Sequence, residues 1–99
     1  MAKKIVVLGA GESGVGAAIL AKKKGLDVFI SDIEVISKEN KKVLSNNKIK
    51  WEEGGHRIEK ILQAKEVIRS PGIPDDAGVI KEIKLAGISI VSEVEFAFR

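Results

Sequence analysis

Five short aliphatic runs, each separated from the next by a stretch with helical spacing, constrain this chain more than any other feature. Lys4 to Leu8 reads Lys-Ile-Val-Val-Leu. Apolar side chains on consecutive positions predict a strand covered on both faces, as in a parallel sheet. The same reading places strands at Asp27 to Ser31, Lys48 to Trp51, Lys65 to Arg69 and Ile88 to Val91. Between the first two, residues 12–24 carry Val15, Ala18, Ile19 and Leu20 at helical spacing, and Gly25 is the stop. Ser37 caps a short helix with Val43 and Leu44 that ends at Asn46-Asn47. Gly54-Gly55 opens a helix with Ile58, Ile61 and Leu62 on one face. Residues 76–86 form a fourth, with Val79, Ile80 and Ile83 inward and Gly87 as the stop. Alternating strands and helices predict an α/β fold. It is Rossmann-like and three-layered: an open, parallel, five-stranded sheet with helices on both faces and right-handed crossovers.

The tail starts a further helix. Ser92-Glu93-Val94-Glu95 has the spacing of a capping box, with Val91 and Phe96 at the hydrophobic staple positions. Residues 1–91 therefore read as one domain. Residues 92–99 read as the start of a helical linker to a missing central domain, with Phe96 and Phe98 lacking an evident home. Ninety-nine residues suit a single domain, and 44% apolar with 31% charged residues is globular composition. The absence of cysteine excludes a disulfide framework, a thiolate metal site and a cysteine nucleophile, and fits a cytoplasmic location. No apolar run approaches the ~20 residues that cross a bilayer, and no signal-peptide core is present, so no membrane insertion is expected. The 17 basic and 14 acidic residues are scattered. Lys22 to Lys24 read as a solvated last helical turn that complements the dipole. Phe29, Trp51, Phe96 and Phe98 do not interleave with the basic residues, so no nucleic-acid partner is expected.

The first turn carries the main chemical signal. Gly9-Ala10-Gly11-Glu12-Ser13-Gly14 is G-x-G-x-x-G, directly after a strand and opening a helix. Gly9 allows the tight turn and Gly11 lets a phosphate approach the backbone. Gly14, with Gly16 after it, lets the helix lie close on the sheet. The helix start offers free N–H groups to an anion. Glu12 would repel a phosphate close by, so its side chain should point away and leave its backbone N–H and the Ser13 hydroxyl as donors. The same glycines would also serve packing alone.

Asp32 stands at the end of the second strand, where a Rossmann domain places the carboxylate that accepts ribose hydroxyls. It would equally cap or turn the chain. Ser70-Pro71-Gly72-Ile73-Pro74 follows the fourth strand, at another carboxyl end, where open α/β sheets bind ligands. Two prolines stiffen it and Gly72 permits close approach to a flat group. A stiff connection is the competing reading. His56, the single histidine, reads as a polar helix-start residue with no traceable serine or cysteine partner. Trp51 reads as packing.

Residues 6–14 (Val-Val-Leu-Gly-Ala-Gly-Glu-Ser-Gly), Ser31-Asp32, 69–74 (Arg-Ser-Pro-Gly-Ile-Pro) and 90–96 (Ile-Val-Ser-Glu-Val-Glu-Phe) together resemble the N-terminal domain of the Mur ligase family, in its D-glutamate-adding branch. The glycine turn is shared with many Rossmann proteins; the later two segments are much more specific. The resemblance covers essentially the whole chain. It implies a parent enzyme of bacterial peptidoglycan synthesis, an ATP-dependent amide-bond-forming ligase. In that family the N-terminal domain binds the uridine diphosphate end of UDP-MurNAc-L-alanine. A central P-loop domain binds ATP and Mg2+, and a C-terminal domain helps to bind D-glutamate. The reaction passes through an acyl phosphate that the amine attacks. Carried onto this chain, Gly11, Glu12, Ser13 and Gly14 would meet the diphosphate. Asp32, Ile33 and Glu34 would flank uracil and ribose. Gly72, in the rigid loop that Ser70 begins, would lie against the uracil. The chain departs from other members at Glu12, which is charged, and at Ile33-Glu34, where polar and basic residues occur elsewhere. No G-x-x-x-x-G-K-[ST] is present, so the chain should bind nucleotide, hold no cofactor or metal, and catalyse nothing by itself. From the glycine motif and Asp32 alone, an NAD-binding module of a regulatory protein or a dehydrogenase remains the alternative.

Overall fold

The computed structural model describes residues 2–74 and 77–99. In chain order it contains β1 (Lys4–Leu8), α1 (Glu12–Lys23), β2 (Asp27–Ser31), α2 (Lys38–Asn46), β3 (Lys50–Glu52), α3 (Ile58–Ile61), β4 (Glu66–Arg69), α4 (Gly78–Leu85), β5 (Ser89–Ser92) and α5 (Glu93–Ala97). The strands form one sheet in the order β3-β2-β1-β4-β5, every neighbouring pair parallel. This is the Rossmann-like α/β architecture expected from the alternation of elements.

The period-2 rule sorts the side chains of the central strand. Ile5 and Val7 enter one core with Ala17, Ala18 and Ala21 of α1, Leu44 of α2 and Phe96 of α5. Val6 and Leu8 enter the other with Ile61 of α3 and Ile80 and Ile83 of α4. Ile5, Val6, Val7 and Leu8 are all fully buried. Each such aliphatic side chain contributes about 1.5–3 kcal/mol over its exposed state. The buried face of α1 is built from small residues, Gly14, Ala17, Ala18 and Ala21, with Val15; Ile19 and Leu20 flank it, partly buried. Small residues let the helix axis approach the sheet.

Several boundaries differ from the sequence reading. β3 begins at Lys50 rather than 48 because Lys48 adopts φ 58° in the turn that leaves α2, a conformation outside any strand. β4 begins at Glu66 and β5 runs from Ser89 to Ser92. The third helix is a single turn entered through Arg57, not a helix opened by Gly54-Gly55, and Leu62 beyond it is 36% exposed. Gly16 does not pack against the sheet: it is exposed, and a Cβ there would meet open space. The expected start of the fourth helix at residue 76 lies outside the described residues, as does Met1.

Phe96 corrects the expectation that both tail phenylalanines lack a home. It is 3% exposed in the core beside α1, while Phe98 is 86% exposed. The capping box forms in full, with Glu95 N donating to Ser92 Oγ at 3.0 Å and Ser92 N donating to Glu95 Oε1 at 3.2 Å. Beyond α5, the Arg99 guanidinium donates two hydrogen bonds to the buried Glu66 carboxylate, at 2.6 and 2.5 Å. Those bonds hold the Glu66 carboxyl below its ordinary range.

Candidate functional site

The order β3-β2-β1-β4-β5 creates a switch point at the carboxyl end of β1, where the chain leaves toward β2 on one side and returns at β4 on the other. A cavity of about 790 Å³ opens there. Three loops converge on it: Gly9–Gly11 after β1, Asp32–Glu34 after β2 and Ser70–Pro74 after β4. His56 and Ile58 also line it, as do Val79 and Glu82 of α4.

Backbone sterics fix the first loop. Gly9 has φ +101°, and a Cβ there would stand 2.8 Å from Ser70 Cβ. A Cβ on Gly14 would stand 1.9 Å from the Gly9 carbonyl oxygen. The turn and the first turn of α1 thus interlock through backbone, and only glycine fits both places. Gly11 precedes α1 in extended geometry and no side chain caps the helix. The first intrahelical bond is Val15 N to Gly11 O, so the N–H groups of Glu12, Ser13 and Gly14 precede the ladder. Their dipole favours an anion.

Asp32 braces this turn. Its Oδ2 accepts from Ala10 N at 2.8 Å and its Oδ1 accepts from Glu34 N at 2.9 Å. Asn40 Nδ2 donates to the Ala10 carbonyl at 3.0 Å from α2. Glu53, just beyond β3, accepts from Ile36 N at 2.9 Å and from Lys41 at 2.9 Å, tying the far end of the second loop to the segment that leaves β3. Two apolar side chains stay outside: Ile33, on the cavity wall, is 66% exposed, and Val35 is 77% exposed.

Of the residues singled out from sequence, the cavity brings together Gly11, Asp32, Ile33, Glu34, Ser70 and Gly72. Glu12, Ser13 and Gly14 are not among the residues that line it: Glu12 and Ser13 are exposed on the first turn of α1, and Gly14 is buried.

His56 overturns its sequence reading. It does not begin a helix, and it does have a serine partner. Ser31 Oγ, at the end of β2, lies 2.6 Å from His56 Nδ1 and donates to Glu52 Oε2 at 2.7 Å. Ser31 is fully buried and stands in register with Glu52 across the parallel β2–β3 pair. Burial lowers the His56 pKa from its ordinary value, against the opposing pull of Glu52 and Asp32. Serine, histidine and a carboxylate here do not make an acyl-transfer triad. The serine sits in the middle, buried, with its proton spent on the glutamate. The arrangement can bind: donors for an anion, a carboxylate, apolar walls and an imidazole converge on one space.

The chain matches the family model described as the MurD N-terminal domain over residues 4–79. It is 56% identical over 97 residues to the UDP-N-acetylmuramoylalanine--D-glutamate ligase of Bacteroides fragilis, covering 98% of this chain and 22% of that protein. It is 58% identical over 95 residues to the same-named ligase of Porphyromonas gingivalis, covering 96% and 21%. Among solved structures, a pseudomurein peptide ligase type C from Methanothermus fervidus superposes with a TM-score of 0.81 at 32% identity, over 96% of this chain and 20% of that one. The chain therefore spans about a fifth of the length of the curated relatives it matches.

Proposed function

The chain belongs to the MurD N-terminal domain family of the Mur ligases, and from that premise we infer that it is the nucleotide-recognising part of a ligase of peptidoglycan synthesis. Its ligand is the uridine diphosphate end of UDP-MurNAc-L-alanine, to which the whole enzyme adds D-glutamate. The observation that carries this reading is the convergence of the uncapped α1 terminus, the Asp32–Glu34 loop and the Ser70–Pro74 loop on one cavity at the switch point. The diphosphate lies against the N–H groups that begin α1. Ile33, Ile58 and Ile73 supply apolar surface for a flat base. ATP and Mg2+ have no place in these 99 residues, which hold no P-loop sequence. Activation of the substrate carboxylate and attack by the D-glutamate amine belong to the part of the relatives' length that this chain does not span.

The experiment is a comparison of melting temperatures with UDP, NAD and ATP at equal concentrations. A ligand at a hundred times its Kd stabilises the native state by about 2.7 kcal/mol. UDP is expected to raise the melting temperature most. A larger rise with NAD would favour the dinucleotide-binding module that the glycine motif alone also suggests.

A further inference from the structure

The nucleotide reading leaves unexplained why a histidine, a buried serine and a glutamate are joined at the cavity. Ser31 Oγ has one proton and two polar neighbours, Glu52 Oε2 at 2.7 Å and His56 Nδ1 at 2.6 Å. Glu52 also accepts from Arg57 N at 2.9 Å and faces the Arg57 Nε at 3.7 Å. A glutamate carboxylate can only accept. Were the Ser31 proton turned toward His56, two oxygens would face each other with no hydrogen between them. The proton therefore goes to Glu52, and His56 Nδ1–H donates to Ser31 Oγ. Burial disfavours the imidazolium, so the neutral ring carries its lone pair on Nε2. Among the described residues, Ser31 is the ring's one hydrogen-bond partner, and the ring lines the cavity.

We propose that His56 is a specificity-determining residue whose Nε2 accepts a hydrogen bond from the bound nucleoside. The donor is the imide N–H of a uracil-type base or a ribose hydroxyl. Ser31 and Glu52 are positioning residues that hold the tautomer. The assignment rests on the nucleotide reading and extends it from uridine diphosphate in general to the group that is read. Asp32 accepts one backbone N–H on each oxygen, whereas the only hydrogen-bond partner of His56 among the described residues sits on Nδ1, which leaves Nε2 as a neutral acceptor beside the Asp32 and Glu34 carboxylates. A site built to take a donor discriminates against an analogue that lacks it, because the acceptor is then left unpaired.

The test has two parts. The chain has a single histidine, so imidazole nitrogen NMR signals belong to His56 without assignment. The Nδ1–H tautomer is expected to predominate in the free protein, and Ser31→Ala is expected to release it. A ring that is mainly Nε2–H overturns the proposal whatever nucleotide binds. Affinities for UDP, CDP, 2′-deoxy-UDP and 3′-deoxy-UDP then identify the donor. The analogue that lacks it should bind about tenfold more weakly than UDP. A weakened CDP assigns the imide; a weakened deoxy analogue assigns that hydroxyl. His56→Phe should bring the same ratio close to one. Equal affinity of the unaltered protein for all four overturns the proposal and leaves the nucleotide reading intact. Failure of all four to bind overturns the nucleotide reading and the proposal with it.

Discussion

Gly14 and Gly16 lie on the same helix two residues apart, and the structure assigns them opposite consequences. A Cβ on Gly14 meets the Gly9 carbonyl at 1.9 Å, a contact with backbone that no rotamer relieves. Gly14→Val should cost at least the upper end of the ~1–3 kcal/mol typical of overpacking. Gly16→Ala meets nothing and should stabilise by about 0.5–1 kcal/mol through helix propensity. Urea midpoints of the two variants check both signs. Asp32 is a second residue with two duties. Its bonds to Ala10 N and Glu34 N mean that Asp32→Ala leaves two backbone donors without their acceptor. The expected cost is about 1–3 kcal/mol of stability, and under the proposed function UDP should bind more weakly because the Gly9–Gly11 turn loses its brace. A variant unchanged in both melting temperature and UDP affinity would remove Asp32 from this role. The turn residues could be read from the sequence because a glycine motif between a strand and a helix has few structural meanings. Ser31–Glu52–His56 could not. Twenty-five residues separate Ser31 from His56, and only the parallel β2–β3 register brings them together.

Elements were legible where one periodicity ran unopposed. β1 and β2 fall where continuous apolar runs place them, and the α1 and α2 boundaries follow from Gly25 and the Ser37 cap. The third helix failed because three apolar residues at helical spacing fit a single turn as well as a full helix, and β3 slipped because a lysine entered left-handed geometry. At α5 the local cap was readable, but the burial of Phe96 against α1 is a tertiary fact. The pair that pins this end gives a pH prediction. Hydrogen bonds from Arg99 lower the folded-state pKa of Glu66 below that of the unfolded chain. A depressed carboxylate contributes stability that is present in full above its unfolded pKa, about 4.5, and is lost as pH falls through the folded value. The urea midpoint should therefore drop on acidification below that point, and Arg99→Ala should flatten this part of the profile while lowering the midpoint at neutral pH. An identical acid profile in the variant would show that the pair contributes nothing to α5 docking.

At the scale of the whole molecule, the fold separates two ends of one sheet. The carboxyl end holds the cavity with its uncapped helix and three converging loops. The opposite end holds a hollow lined by Lys4, Lys22, Lys48, Lys50 and Lys60 together with Asp27, so its charged side chains are mostly basic. Under the proposed function, which leaves ATP activation to the part of the relatives' length that this chain does not span, the chain is expected to show no ATP turnover with UDP-MurNAc-L-alanine and D-glutamate. Substrate-dependent phosphate release by the purified chain would contradict that division of labour. The most direct measurement is a UDP titration followed by backbone amide shifts. UDP should perturb Gly9 to Gly14, Asp32 to Glu34, His56, Ser70 and Gly72, more strongly than equal NAD does. Perturbations centred on the lysine-lined hollow, or larger shifts with NAD at the cavity, would contradict a uridine diphosphate site at the switch point.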